Sequence, residues 1–425
     1  MTEKTLADGV KYSFVKTDRF KTTVMSIGFY LPLSRNNAAN TLALNLMKSG
    51  TESLPDTYSF QRRLASLYGA SAVAWTAKIG DCQELRIALT VNDDRYSLNA
   101  EPTVNLGSQL LCDMVFGRVL SDTDYPKEAV LREKRLLKEN ILAKLNDKRT
   151  YARNRCEQIM CEGEGYGLDP EGNIDDVDRL ENADIREALK RLTEEAFVSV
   201  QVIGAAEPSD FARLLAQNFT KINRRFAFLP LDTVKASSDL KEVTEKMPVK
   251  QGKLVMGFKN GIGGNDRDTV ADWIMTDIFG GGPYSKLFCN VREKLSLCYY
   301  CSARPTRRKG IIVVDSGVEE ANIEAARIAI LQQLSDMADG NFEDKDINSS
   351  KLSLCDTIGS VESDQNMLLR WYASRSLDEA PVTPDEMCRL INKVTREDIM
   401  AAAKNFTLDT IYTLRPDGSE SEAEQ

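Results

Sequence analysis

Catalysis near neutral pH most often rests on an imidazole, and this 425-residue chain contains no histidine. That single count removes several chemistries. A Ser-His-Asp triad, a Cys-His pair and a His-x-x-Glu-His zinc helix all need a ring nitrogen as base or ligand. The side chains that remain for polar chemistry are carboxylates, thiols, amides, hydroxyls, guanidinium and ammonium groups. Among these, four stretches have types and spacing worth weighing.

The nine cysteines are scattered, and most stand in apolar or helical contexts that suit buried free thiols. Cys298-Tyr299-Tyr300-Cys301 is a C-x-x-C inside a strand-like run, but no second pair at matching spacing completes a zinc site. Core thiols are the favoured reading over metal or redox chemistry. The glycines of Gly163-Glu164-Gly165-Tyr166-Gly167 would need a strand before and a helix after to cradle a phosphate. Here a helical pattern precedes them and Leu168-Asp169-Pro170-Glu171-Gly172 follows, so an ordinary loop is expected. Val130-Leu131-Arg132-Glu133-Lys134 places Glu133 within a long helical pattern, where pairing with Lys134, Arg135 or Lys138 is the plain expectation. Finally, Arg292 falls in a helical pattern and Tyr299 opens a strand, where a surface arginine and a strand tyrosine are the plain expectation. A guanidinium and a phenol both donate hydrogen bonds to a peptide carbonyl or an oxyanion.

The elements that would hold these residues read as alternating strands and helices. Residues 11–16 and 21–33 are expected as strands. A helix follows over 40–49, with Leu42, Leu46 and Met47 at helical spacing and Gly50 as its stop. Asp56 or Thr57 caps a second helix through Phe60, Leu64 and Leu67. Residues 72–77 and 84–91 alternate as antiparallel strands, 101–116 and 125–145 read as helices, 184–192 as a helix and 197–203 as a strand. Residues 230–249 mix Pro, Ser, Lys and Glu with no apolar period and read as an interdomain linker.

The second half repeats this order. A strand over 253–258, a helix over 268–279 stopped by three glycines, a helix over 284–294 and a strand pair over 298–304 and 311–317 follow one another. Helices over 321–337 and from 342 through 354 then complete the series. Equivalents lie about 220–230 residues apart, a period that means a duplicated domain rather than a solenoid.

Three segments resemble the M16 family of zinc peptidases, the pitrilysin and mitochondrial-processing-peptidase group. Counting back from Gly50-Thr51, the family's His-x-x-Glu-His positions hold Thr41, Leu44 and Asn45. Glu133 is similar to the glutamate that supplies the third zinc ligand. Leu287-Phe288-Cys289-Asn290-Val291-Arg292-Glu293 with Leu297 and Tyr299 resembles the element whose Arg and Tyr reach the substrate backbone. The resemblance implies an α+β fold of two tandem duplicated M16/LuxS-like domains, each a mixed β-sheet with helices on one face. It puts those domains at 1–228 and 250–416, joined by a linker at 229–249 and followed by a disordered tail at 417–425. It also implies a non-catalytic subunit without a cofactor of its own. Such a subunit would bind peptide or protein through Arg292 and Tyr299, in a heterodimer with an active subunit that holds the zinc, or in self-association. A stand-alone peptide-binding scaffold is the alternative, and an active zinc metalloendopeptidase a distant third.

Composition bears on partners. With 42% hydrophobic and 28% charged residues the chain can bury a sizeable core, and its net charge of −9 lacks the basic excess of a nucleic-acid binder. No stretch reaches the length of a membrane span and the N-terminus has no signal-peptide core. The expectation is a cytoplasmic protein with neither nucleic-acid nor membrane partners.

Overall fold

The computed structural model describes residues 1–226, 229, 234 and 239–417. Two mixed sheets organise the chain. The first takes β1 (Thr2–Ala7), β2 (Val10–Lys16), β3 (Thr22–Pro32), β4 (Ser71–Ile79), β5 (Cys82–Asn92) and β6 (Phe197–Gly204) in the order β1-β2-β6-β3-β5-β4. The second takes β7 (Lys241–Met247), β8 (Gly252–Lys259), β9 (Cys298–Thr306), β10 (Ile311–Val318) and β11 (Thr407–Pro416) in the order β7-β11-β8-β10-β9.

The repeat read in the sequence is a repeat of sheet topology. β2 runs parallel to β6 and β7 parallel to β11, while the remaining neighbours in these matched series are antiparallel. β1 is an addition of the first half, pairing antiparallel with β2. Helices follow the same order in both halves. The first carries α1 (Asn37–Ser49), α2 (Thr57–Ser66), α3 (Thr103–Ser121), α4 (Lys127–Asn146), α5 (Lys148–Met160), α6 (Ile174–Arg179), α7 (Asn182–Lys190) and α8 (Phe211–Phe219). The second carries α9 (Asp266–Gly280), a wide-turn helix over Leu287–Lys294, α10 (Ile323–Asp339), α11 (Asp344–Val361), α12 (Gln365–Ala373), α13 (Pro384–Lys393) and α14 (Arg396–Asn405). Asp56 caps α2, its side chain accepting from the Ser59 amide at 2.9 Å, as the sequence suggests.

Two compact units result, and they are not the contiguous spans expected from sequence. One comprises residues 1–142, 168–230 and 363–379; the other comprises 143–167, 231–362 and 380–425. Each half of the chain thus lends one helical segment to the other half's unit, α5 to the second and α12 to the first. The expected linker needs the same correction. Within 229–249, Lys241–Met247 is β7, an edge strand held by the parallel ladder to β11. Its alternating charged and polar residues hid it, because a sheet edge has only one neighbour and needs little apolar surface. Several residues of that span, and the expected tail beyond Asp417, lie outside the described residues.

In the first unit, alternate residues Met25, Ile27, Phe29 and Leu31 of β3 join Val198, Val200 and Val202 of β6 and the inner faces of α1, α3 and α7 in one buried core. The opposite sheet face is polar. Arg86, fully buried, donates from Nε to Glu84 at 2.8 Å and from its terminal nitrogens to Ser26 at 3.0 Å and Tyr30 at 2.5 Å. Gly28 makes room for it, since a Cβ there would overlap the guanidinium. The segment carrying α12 covers this face. Ser376 hydrogen-bonds Ser199 and Gln201, and Gln365 donates to the carbonyls of Thr22 and Ile203. In the second unit the corresponding face carries an apolar patch, with Ala152, Cys156 and Met160 of α5 lying on Val255, Val313 and Tyr412, beside the ion pairs Arg149–Asp315 and Lys259–Glu164. Each sheet therefore has its main helical layer on one face and one further helix on the other.

Candidate functional site

The start of α1 is where a metal helix of this kind would present its ligands. Thr41 is buried, its hydroxyl donating to the Pro170 carbonyl at 3.2 Å and lying 3.3 Å from the Thr76 hydroxyl. The fully buried Gln83 of β5 anchors the group. Its Nε2 reaches the Pro170 carbonyl at 2.6 Å, the Asn37 carbonyl at 3.0 Å and the Thr41 oxygen at 3.2 Å. Two N–H bonds thus serve three acceptors, one of them shared. The Gln83 oxygen accepts from Asn40 Nδ2 at 3.0 Å, and Asn40 Oδ1 accepts from Arg191 Nε at 3.2 Å. Asn37 holds the same loop from its other side, donating to the Asp169 carbonyl at 2.9 Å. Gly172, at φ 75°, brings this loop so close to Ala38 that a Cβ would not fit. The loop after the glycine-rich stretch is thereby a lid fixed over the first turn of α1.

Leu44 is fully buried in the apolar core, and Asn45 is half-buried. Glu133 lies beside the last turn of α1. It faces a cleft of about 160 Å³ lined by Lys48, Ser49, Phe60 and Arg132, among others. Its partner is Arg132, at 3.1 Å, rather than the expected Lys134, Arg135 or Lys138. Lys134 and Lys138 reach instead across to the end of α6, where Asp178 takes both. Neighbouring-residue pairing occurs here because α4 turns Glu133 inward and leaves Lys134 and Lys138 on the side facing α6.

Tested against zinc, these positions do not fit. A catalytic zinc takes imidazole, thiolate or carboxylate donors. The Thr41 hydroxyl is hydrogen-bonded within the fold, and the glutamate position holds a core leucine. Among the described residues no group of three or more His, Cys, Asp or Glu is placed to hold a metal ion.

Arg292 and Tyr299 are brought together. They line one open cleft of about 420 Å³ with Glu293, Ser296, Cys298 and Glu319. Local folding explains their exposure. Leu287 and Val291, one turn apart and fully buried, anchor the wide-turn helix, so Phe288 and Arg292 lie toward its outer side. The Arg292 guanidinium sits 4.5 Å from the Phe288 ring centre and 3.6 Å from Glu293. Ser296 then turns the chain at φ 51° into β9. In β9, Val318 stands opposite Cys298 and Gly317 opposite Tyr300, leaving Tyr299 as the extra residue of a bulge. The bulge turns its ring outward, 60% exposed, with the hydroxyl donating to Glu319 at 2.9 Å. That carboxylate raises the Tyr299 phenol above its ordinary pKa, keeping it a donor.

Glu319 was not among the residues marked by sequence, since nothing in its spacing links the end of β10 to Tyr299. Gln83 and Asn40 were missed for a related reason: a buried amide network leaves no motif. Cys298 and Cys301 are both buried, as core thiols should be. The Cys298 thiol is lowered by its hydrogen bond with Cys301 and by the nearby Arg292, while Cys301 is raised. Glu164, in the glycine-rich loop, is bound by Lys259 at 2.6 Å and Lys309 at 2.8 Å, so the loop is a structural anchor in the second unit.

No helix among the described residues is long and apolar enough to cross a membrane. The family model described as Peptidase M16 inactive domain matches residues 179–354. A probable inactive metalloprotease of Bacillus subtilis (strain 168), YmfF, is 30% identical over 408 residues, covering 96% of each chain. Among solved structures, a conserved protein from Enterococcus faecalis V583 superposes with a TM-score of 0.89 at 24% identity, covering 98% of both chains. A peptidase M16 inactive domain from Pseudomonas fluorescens gives 0.78 at 16% identity, again over 98% of each chain. A chain of Complex III2 from Candida albicans gives 0.73 at 14% identity, covering 98% of this chain and 95% of that one. This chain belongs to the M16 peptidase family, in its inactive branch, where the His-x-x-Glu-His helix has lost its ligands.

Proposed function

We propose that the chain is a non-catalytic M16 subunit that binds a peptide or protein substrate and works beside a zinc-bearing M16 partner. One observation carries this reading. Thr41 is closed by hydrogen bonds and Leu44 by the apolar core, yet Arg292 and Tyr299 stand together in an open cleft. A guanidinium and a phenol held as donors are suited to a peptide carbonyl or an oxyanion. A fold shared with a chain of Complex III2 is in keeping with service inside an assembly. The β4 edge adds support. Its sequence, Ser71-Ala72-Val73-Ala74-Trp75-Thr76-Ala77-Lys78-Ile79, has one charge and one neighbouring strand, and so offers free backbone groups to an extended peptide.

The test is affinity purification of the full chain from its native cells, with metal analysis and peptidase assay of the eluate. A histidine-bearing M16 chain in equal amount, zinc that tracks it, and activity that falls with Arg292→Ala at unchanged complex yield are expected. A chain that elutes alone, with no binding of unstructured peptides sensitive to Arg292→Ala or Tyr299→Phe, would overturn the proposal.

A further inference from the structure

The nine cysteines are not equivalent as targets for oxidation. Cys82, Cys112, Cys156 and Cys161 are buried, and Cys289 is exposed but donates only to the Pro283 carbonyl. Cys298 and Cys301 are three residues apart along one strand. Both are buried and hydrogen-bonded to each other, away from an oxidant in solution. Cys355 and Cys388 differ from all of these. They lie on two helices that face each other, α11 and α13, and both are half-exposed. Each reaches across to the other's backbone: Cys355 Sγ lies 3.9 Å from the Cys388 carbonyl oxygen and Cys388 Sγ 3.8 Å from the Cys355 carbonyl oxygen. Reciprocal contact of this kind needs the two backbones close and the two side chains turned toward one another.

The place of the pair in the chain gives it consequence. Between Cys355 and Cys388 the chain leaves the second unit, contributes residues 363–379 to the first, and returns. That excursion carries α12, with Gln365 and Ser376 hydrogen-bonded over the polar face of the first sheet. The two cysteines stand at its two roots.

We infer that Cys355 and Cys388 form a peroxide-sensitive dithiol, whose disulfide closes the excursion at its base and holds α12 against opening. The step balances as two thiols and one peroxide giving one disulfide and two waters. The Cys355 thiolate attacks a peroxide oxygen, the O–O bond breaks, and the departing hydroxide takes a proton to leave as water. The sulfenic acid so formed is attacked by the Cys388 sulfur. The S–O bond breaks, and the second hydroxide leaves as water with the Cys388 proton.

The experiment treats the full chain with a few equivalents of hydrogen peroxide, then alkylates, digests without reductant and maps the peptides. Hydrogen exchange of residues 363–379 is followed before and after treatment. A Cys355–Cys388 cross-link, a mass loss of two hydrogens reversed by thiol reductant, and at least tenfold slower exchange in 363–379 are expected. Cys355→Ser and Cys388→Ser, each separately, should abolish the cross-link and the slowing. Oxidation of Cys289 without any Cys355–Cys388 cross-link would overturn the inference, and Cys289 also reports that the reagent acted. A cross-link that leaves exchange in 363–379 unchanged would overturn the holding role.

Discussion

At the start of α1, the amides of Asn37, Asn40 and Gln83 and the hydroxyl of Thr41 are joined to one another or to the 169–172 loop, out of reach of solvent. In the second half of the chain, Arg292 and Tyr299 make contacts only at an open rim, with Phe288, Glu293 and Glu319. The two regions occupy repeats of the same sheet-and-helix series, so the difference is not one of architecture. Polar groups that hold a fold together have their hydrogen bonds completed internally, because an unpaired buried donor costs about 1–3 kcal/mol. Groups kept for a visitor stay at the surface with capacity to spare. By that measure α1 has become structural and the Arg292 cleft has not.

Restoring the family's ligands is the strongest way to break the comparison. Thr41→His, Leu44→Glu and Asn45→His together would put a carboxylate into the apolar core and an imidazole against the Pro170 carbonyl. A buried polar group without partners costs at least about 3 kcal/mol. The triple variant should therefore lose stability in denaturant titration by that much or more and take up no zinc in equilibrium dialysis. Stoichiometric zinc in a folded variant would mean that the metal geometry survives beneath the network.

Gln83→Ala comes next. It strips the network of its central amide and leaves Asn40, Thr41 and two backbone carbonyls short of partners. A loss of about 3 kcal/mol is expected, with faster hydrogen exchange in the 169–172 loop. A loss under about 1 kcal/mol would show that water replaces Gln83 freely, and the region would then be no more closed than the cleft.

The helix equivalent to α1 allows a sharper contrast. In α9, Asp272 accepts from Asn260 Nδ2 at 2.9 Å, and burial raises its carboxyl to about 6. The unfolded value is near 4. Between these the folded chain binds the proton more tightly, so this group adds stability as pH falls from about 7 to about 5. Asp346 and Glu164, whose carboxyls lie below their usual range, act in the opposite sense at lower pH. The wild-type minus Asp272→Asn difference isolates the effect. That variant should be the more stable form at pH 7, with the advantage shrinking toward pH 5. The neutral amides of α1 predict no such slope for Asn40→Asp's parent, so the wild-type residue there should contribute none.

How much of this could be read in the sequence follows the same division. Period and stops gave both halves of the duplication: Leu42, Leu46 and Met47 ahead of Gly50 mark α1, and Val24, Ile27 and Phe29 mark β3. The exchange of α5 and α12 between units was not legible. Their residues Ala152, Cys156 and Met160, or Gln365 and Ser376, specify a surface to lie on but not which of two related sheets provides it. β7 reads as linker in sequence because Lys241-Glu242-Val243-Thr244-Glu245-Lys246 is polar, and only its ladder to β11 makes it a strand. At the site, Arg292 and Tyr299 stand out through the resemblance to the Arg–Tyr element of the M16 family. Glu319, Gln83 and Asn40 carry no spacing signal, since tertiary contact alone gives them partners.

The smallest expected effect is the one that decides what the cleft is for. Arg292→Ala removes a contact with an exposed carboxylate and one ring, and Tyr299→Phe removes a single surface hydrogen bond. Exposed substitutions of this kind change stability by less than about 0.5 kcal/mol, so thermal unfolding of both variants should match the parent within a degree or so. If instead Tyr299→Phe costs well over 1 kcal/mol, the Tyr299–Glu319 bond is holding the β9 bulge in place. The pair would then belong with the Gln83 network as structure. If stability is unchanged while peptide binding falls, the two halves have divided their roles as their geometry indicates. The side chains of α1 keep the fold, and those beside β9 are left to meet something outside it.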